Sequence, residues 1–126
     1  MNETEVKHFG KPEEIREFPN GRVEFITVGD MIMGRAVLQP GWRWSVCVGP
    51  IVKTPTCETA HVQYQIAGVL RVHMDDGTEF DIKPGDVANI PPGHDAWVVG
   101  DEPVVALEFH GRVKCAARAE RELKAA

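Results

Sequence analysis

From Gly21 onward the chain reads as short stretches in which apolar and polar residues alternate, cut by turn residues. Residues 22–28 alternate as a strand, Gly29-Asp30 turns, residues 31–38 return, and Pro40-Gly41 closes the segment. Residues 63–66 lead into Gly68. After it, Leu70, Val72 and Met74 fall on one face while Arg71, His73 and Asp75 fall on the other, the period of two that buries one side of a strand. Asp76-Gly77 is a hairpin signal with residues 78–82 as the partner strand. The pattern predicts further strands over 87–90, 96–99 and 104–109, around turns at 83–86, 91–93 and 100–103. Many short strands at short spacing argue for an all-β sandwich or barrel.

Helix is expected in two places only. Residues 11–16 carry Pro12 at their start and acids behind it, which suits one helical turn. Residues 115–124 are rich in Ala, Arg, Glu and Leu, with Cys115, Ala119 and Leu123 along one stripe and a Glu120–Lys124 pair. This divides the chain into an N-terminal arm over 1–20, a barrel over 21–112 and a helical tail over 113–126.

A chain of 126 residues has room for one such domain. Its net charge of −5, from 14 basic and 19 acidic residues, comes without a basic cluster, so nucleic acid is not an expected partner. No apolar run approaches the roughly 18 residues of a membrane span, and the polar N-terminus does not read as a secretory signal. An odd count of cysteines, Cys47, Cys57 and Cys115, fits reduced thiols and a cytoplasmic protein better than a disulfide framework. A Cys47–Cys57 bridge is the less favoured alternative.

The segment from Gly85 to Gly93, with Pro91 between, resembles the second cupin motif, which runs G-xxxxx-P-x-G. Residues 64–72, including Gly68, look like the end of the first motif, and the two are separated by strand, hairpin and strand as in that superfamily. The resemblance covers roughly residues 22 to 110. It implies a jelly-roll β-barrel, also described as a double-stranded β-helix, with a short C-terminal helix added here. More narrowly, Pro40-Gly41-Trp42-Arg43-Trp44-Ser45, Cys57, His61 and the stretch from Pro92 to Trp97 resemble a subgroup of small bacterial cupins, a likeness that implies a fold and no substrate.

The departures from the metal-binding pattern are informative. That pattern reads H-x-H-xxx-E-xxxxxx-G in the first motif, with another His three residues after the second motif. Aligned on Gly68 and Gly93, the four ligand positions hold Pro55, Cys57, His61 and Ala96. A substitute set is available in Cys57, His61 and His94. A thiolate with two imidazoles suits zinc first, leaves one position open, and tolerates iron, copper, nickel or manganese. The alternatives are a hydrogen-bonded core histidine at 61 and a buried apolar cysteine at 57. His8 and His73 are expected to face solvent, and His110 to cap a strand end.

Gln63 shares the parity of His61. Trp42, Trp44 and Trp97 could form an aromatic wall, with Arg43 pairing a ligand carboxylate. The stretch from Trp42 to Cys57 exceeds the spacing of the resemblance, which predicts an extra edge hairpin near Gly49-Pro50 and a second subunit covering it, hence a homodimer. Two functions remain open. One is a metal-dependent cupin that oxidises or isomerises a small acid or oxygenated metabolite; the other is a metal-free module that binds or senses a small molecule.

Overall fold

A computed structural model describes residues 4–112. The helical tail expected over 113–126 lies outside the described residues. Nine strands appear in order: β1 (Glu14–Phe18), β2 (Gly21–Val28), β3 (Met31–Leu38), β4 (His61–Ala67), β5 (Val69–Met74), β6 (Glu79–Ile82), β7 (Val87–Ile90), β8 (His94–Val99) and β9 (Val104–Arg112). They form a six-stranded sheet, ordered β1-β2-β3-β9-β4-β7, and a three-stranded sheet, ordered β6-β5-β8. Every pairing is antiparallel. One apolar core joins them, with Leu38, Val104 and Ala106 from the larger sheet and Leu70, Val72, Ile82 and Val98 from the smaller.

Two local expectations are corrected. Residues 11–16 do not form a helical turn, because residues 14–18 pair along β2 as β1. Phe18 at the end of this strand packs against the core while Ile15 stays exposed, and backbone pairing to β2 outweighs a weak local helix preference. The arm over 1–20 thereby contributes a strand to the sheet. The edge hairpin near Gly49-Pro50 is absent as well. Two helices of four residues stand there instead, α1 (Trp44–Cys47) and α2 (Gly49–Val52), so helix is not confined to the tail. Pro50 sits at the start of α2, where its missing N–H costs nothing, and Lys53 ends it in the left-handed region at φ 64°.

The glycine between β4 and β5 is required by its surroundings. Gly68 has φ +73°, and a Cβ there would strike the Pro103 carbonyl. The turn ahead of β8 is similar: Gly93 has φ +87°, and a Cβ would meet the Asp75 carboxylate at 2.7 Å.

Candidate functional site

Strand β4 is the clearest case of alternation, with His61, Gln63 and Gln65 buried and Val62, Tyr64 and Ile66 exposed. The inward side chains are polar, and the two glutamines are linked in sequence. Gln63 Nε2 donates to Gln65 Oε1 at 3.2 Å, and Gln65 Nε2 donates to the carbonyls of Ala67 and Gly68 at 3.2 and 3.1 Å. At the other end of β4, His61 Nε2 lies 3.4 Å from Cys57 Sγ.

Cys57 is brought there by its backbone. It forms an isolated bridge with His94 at the start of β8, its N–H donating to the His94 carbonyl at 2.7 Å. The Pro91-Pro92-Gly93 turn thus delivers His94 beside Cys57. His94 Nδ1 donates to the Pro91 carbonyl at 2.8 Å, so Nε2 keeps its lone pair for a ligand. One donor atom from each of Cys57, His61 and His94 falls within 4.8 Å of the other two, and all three residues are buried.

This set fits a metal ion. A tetrahedral centre with bonds of ~2.3 Å to sulfur and ~2.0 Å to nitrogen separates its donors by roughly 3.3–3.6 Å. The Cys57–His61 distance of 3.4 Å already matches, and the other two separations are no more than 4.8 Å. His61 Nδ1 is buried without a hydrogen-bond partner, which leaves that ring less firmly oriented than His94.

Without a metal the pair is neutral. Burial pushes the Cys57 thiol up to about 11 and pushes His61 down to about 4. Burial also lowers His94. A protonated thiol beside a neutral imidazole is no activated nucleophile, so the cluster favours metal ligation over covalent catalysis.

A cavity with about 60 Å³ of room for water centres adjoins the cluster. His61, His94 and Gln63 line it, together with Trp42, Trp44 and Glu108 and apolar side chains from both sheets. Among the sequence-derived candidates, Gln63, Trp42 and Trp44 therefore share this space with the ligand cluster. The indole Nε1 atoms of Trp42 and Trp44 are buried and unpartnered.

Arg43 and Trp97 are not part of that lining. The Arg43 guanidinium stacks on the Trp97 ring at 4.4 Å, and its Nε donates to Asp95 Oδ2 at 2.9 Å. Asp95 also accepts from Ser45 N and Ser45 Oγ, at 3.0 and 2.8 Å, and so pins the start of α1 to β8.

His110 does not cap a strand end. It is buried within β9, its ring 6.2 Å from that of His61, and Nε2 lies 3.2 Å from Glu108 Oε1. Neither residue stood out as a site candidate in the sequence. The signal was present in the period of two, because Val104, Ala106, Glu108 and His110 share parity and the first two are core. Cys47 and Cys57 are both free thiols, and His8 and His73 are exposed.

No protein-family model and no curated protein sequence matches this chain. Solved structures do. A cupin-like protein from Thermotoga maritima aligns with a TM-score of 0.52 at 17% identity, over 84% of this chain and 80% of that one. A protein with a double-stranded β-helix domain from Klebsiella pneumoniae aligns at 0.55 and 17% identity, over 85% and 89%. The fold is a cupin fold. The polyketide cyclase RemF from Streptomyces resistomycificus shares it, with a TM-score of 0.59 and 18% identity over 85% of this chain and 78% of that one. Identities this low establish the cupin barrel alone. Among the described residues, no helix is long and apolar enough to cross a membrane.

Proposed function

We propose that this cupin barrel is a small-molecule site built around one divalent metal ion, zinc by donor preference, held by Cys57, His61 and His94. The convergence of three donor atoms within 4.8 Å at the wall of a cavity carries the reading. A bound ion supplies Lewis-acid polarisation of a ligand oxygen, chemistry suited to converting a small acid or oxygenated metabolite. The chain's own residues do the rest. The Pro91 carbonyl fixes the His94 ring, Cys57 would give up its proton to hold the ion, and Gln63 offers an amide to the adjoining cavity.

Elemental analysis of the purified protein after incubation with zinc tests this directly. About one ion per chain is expected, falling at least tenfold for His61→Ala and for Cys57→Ser. A metal content near zero in the folded wild type would make the metal-free binding module the better account. The neutral thiol–imidazole pair is the observation that favours that second reading.

We also propose a homodimer. The edge hairpin is replaced by α1 and α2, on which Val46 and Ile51 are exposed, and a contiguous apolar surface lies on the outer face of β4 and β7, where Val62, Tyr64, Ile66 and Val87 are exposed. β7 is an edge strand, and a second copy lying against it would cover both.

A further inference from the structure

Glu108 sits where the cavity is otherwise without a charged group. It lines the cavity from β9, opposite Gln63 in the register, and its side chain is only 13% exposed. Among the described residues no Lys or Arg lines that space, and Arg43 is occupied with Asp95 and Trp97. His110 holds the Glu108 carboxylate from the next inward position of the same strand. Burial pushes the Glu108 carboxyl up, but the hydrogen bond from His110 and the neighbouring histidines outweigh it, so the net direction is down and the carboxylate is ionised at neutral pH.

We propose that Glu108, positioned by His110, is the polar anchor of the cavity and selects a small neutral hydroxylated carbonyl compound over a carboxylate. The inference rests on the reading that this cavity binds a ligand. Three observations carry it. Size comes first: one water needs ~10–15 Å³ of such volume, so about 60 Å³ admits a ligand of roughly four to six heavy atoms. Polarity comes second. A buried carboxylate accepts a hydroxyl hydrogen, while Trp42 and Trp44 hold unpartnered N–H donors that want an oxygen acceptor. A hydroxyl next to a carbonyl supplies both. Third is charge balance. With no metal, the lining already carries one negative charge. With a divalent ion, the Cys57 thiolate and Glu108 together cancel it. In either state an added carboxylate is a surplus anion in a low-dielectric space.

The test is binding of hydroxyacetone and of lactate, probes of similar size, to the full-length protein as purified and again after zinc loading. Trp42 and Trp44 report through their fluorescence, and saturation-transfer NMR reports independently. The wild type is expected to bind hydroxyacetone at least tenfold more tightly than lactate. Glu108→Gln should lose about tenfold to a hundredfold for hydroxyacetone and narrow the gap to lactate. Zinc content measured on the same Glu108→Gln sample should stay at the wild-type value, which separates failure here from failure of the metal centre. Lactate binding as tightly as hydroxyacetone, no binding of either probe, or unchanged affinities in a folded Glu108→Gln would each overturn the proposal. His110→Gln, folded and zinc-loaded as wild type, should weaken hydroxyacetone less than Glu108→Gln does; an equal or larger loss would assign the anchor to His110 and overturn it too.

Discussion

Cys57 and His94 lie side by side because their backbones are bonded to each other. The Cys57 N–H donates to the His94 carbonyl at 2.7 Å, and the His94 N–H returns to the Cys57 carbonyl at 3.3 Å, with Gly93 N–H on the same carbonyl at 2.7 Å. The residues are far apart in sequence, so this bridge closes a long loop onto the start of β8. It places a thiol and an imidazole together without asking their side chains to find each other, and β4 then adds His61 from the adjoining sheet.

The first consequence concerns reactivity. Cys57 is fully buried and its thiol is pushed up to about 11 by burial. In the native protein at pH 7, iodoacetamide should leave Cys57 unmodified over hours while labelling it readily after denaturation. Peptide mapping by mass spectrometry reads this out. Rapid native labelling of Cys57 would contradict the burial and the raised thiol.

Acid sensitivity follows from His61. Its folded value of about 4 lies below its ordinary 6.5 because burial disfavours the charged ring. Between those two values the unfolded chain binds more protons, so stability falls as pH falls through the window. The full contribution, present above pH 6.5, is about 3 kcal/mol. Denaturant titrations of chelator-treated protein at pH 7 and pH 4 should show a loss of that order, smaller in His61→Asn. Equal slopes with pH in the two proteins would refute the assignment.

Asp95 is expected to matter for the segment over the cavity and not for the ligand cluster. It accepts hydrogen bonds from Arg43 Nε, Ser45 N and Ser45 Oγ. Asp95→Ala should cost roughly 1–3 kcal/mol and speed amide exchange across α1, with zinc content unchanged. Hydrogen-exchange mass spectrometry over residues 44–52 is the measurement. Unaltered protection there would mean the carboxylate does not hold the helix.

The proposed dimer is checked by sedimentation over a micromolar concentration range. Wild type should sediment as a dimer, and Tyr64→Lys or Val87→Lys should shift it to monomer without loss of fold. A wild type that stays monomeric across the range removes the second-copy assignment of this face.

Much of the barrel was legible in the chain because strand alternation and glycine turns are local. Residues 31–38 and 87–90 were bounded as they stand in the structure, and the inward placement of His61, Gln63, Leu70 and Val72 followed from parity. The helical turn expected at 11–16 failed because a free sheet edge beside β2 decides the conformation of that segment, and no nearby residue reports it. The hairpin expected near Gly49-Pro50 failed for a related reason. Trp44, Cys47 and Gly49 are buried, and Asp95 fixes the start of α1 from across the fold.

The sequence by itself determined the fold class, the faces of the strands and the residue types from which a metal site could be drawn. Only the tertiary structure decided which of them meet. It put Trp42, Trp44 and Gln63 on one cavity with the cluster and sent Arg43 and Trp97 to a stack of their own. It also brought in Glu108 and His110, whose role depends on β9 lying between β3 and β4. The physical reason is that parity along a strand is set within a few residues, whereas convergence of side chains from β4, β8 and β9 is set by long-range antiparallel pairing.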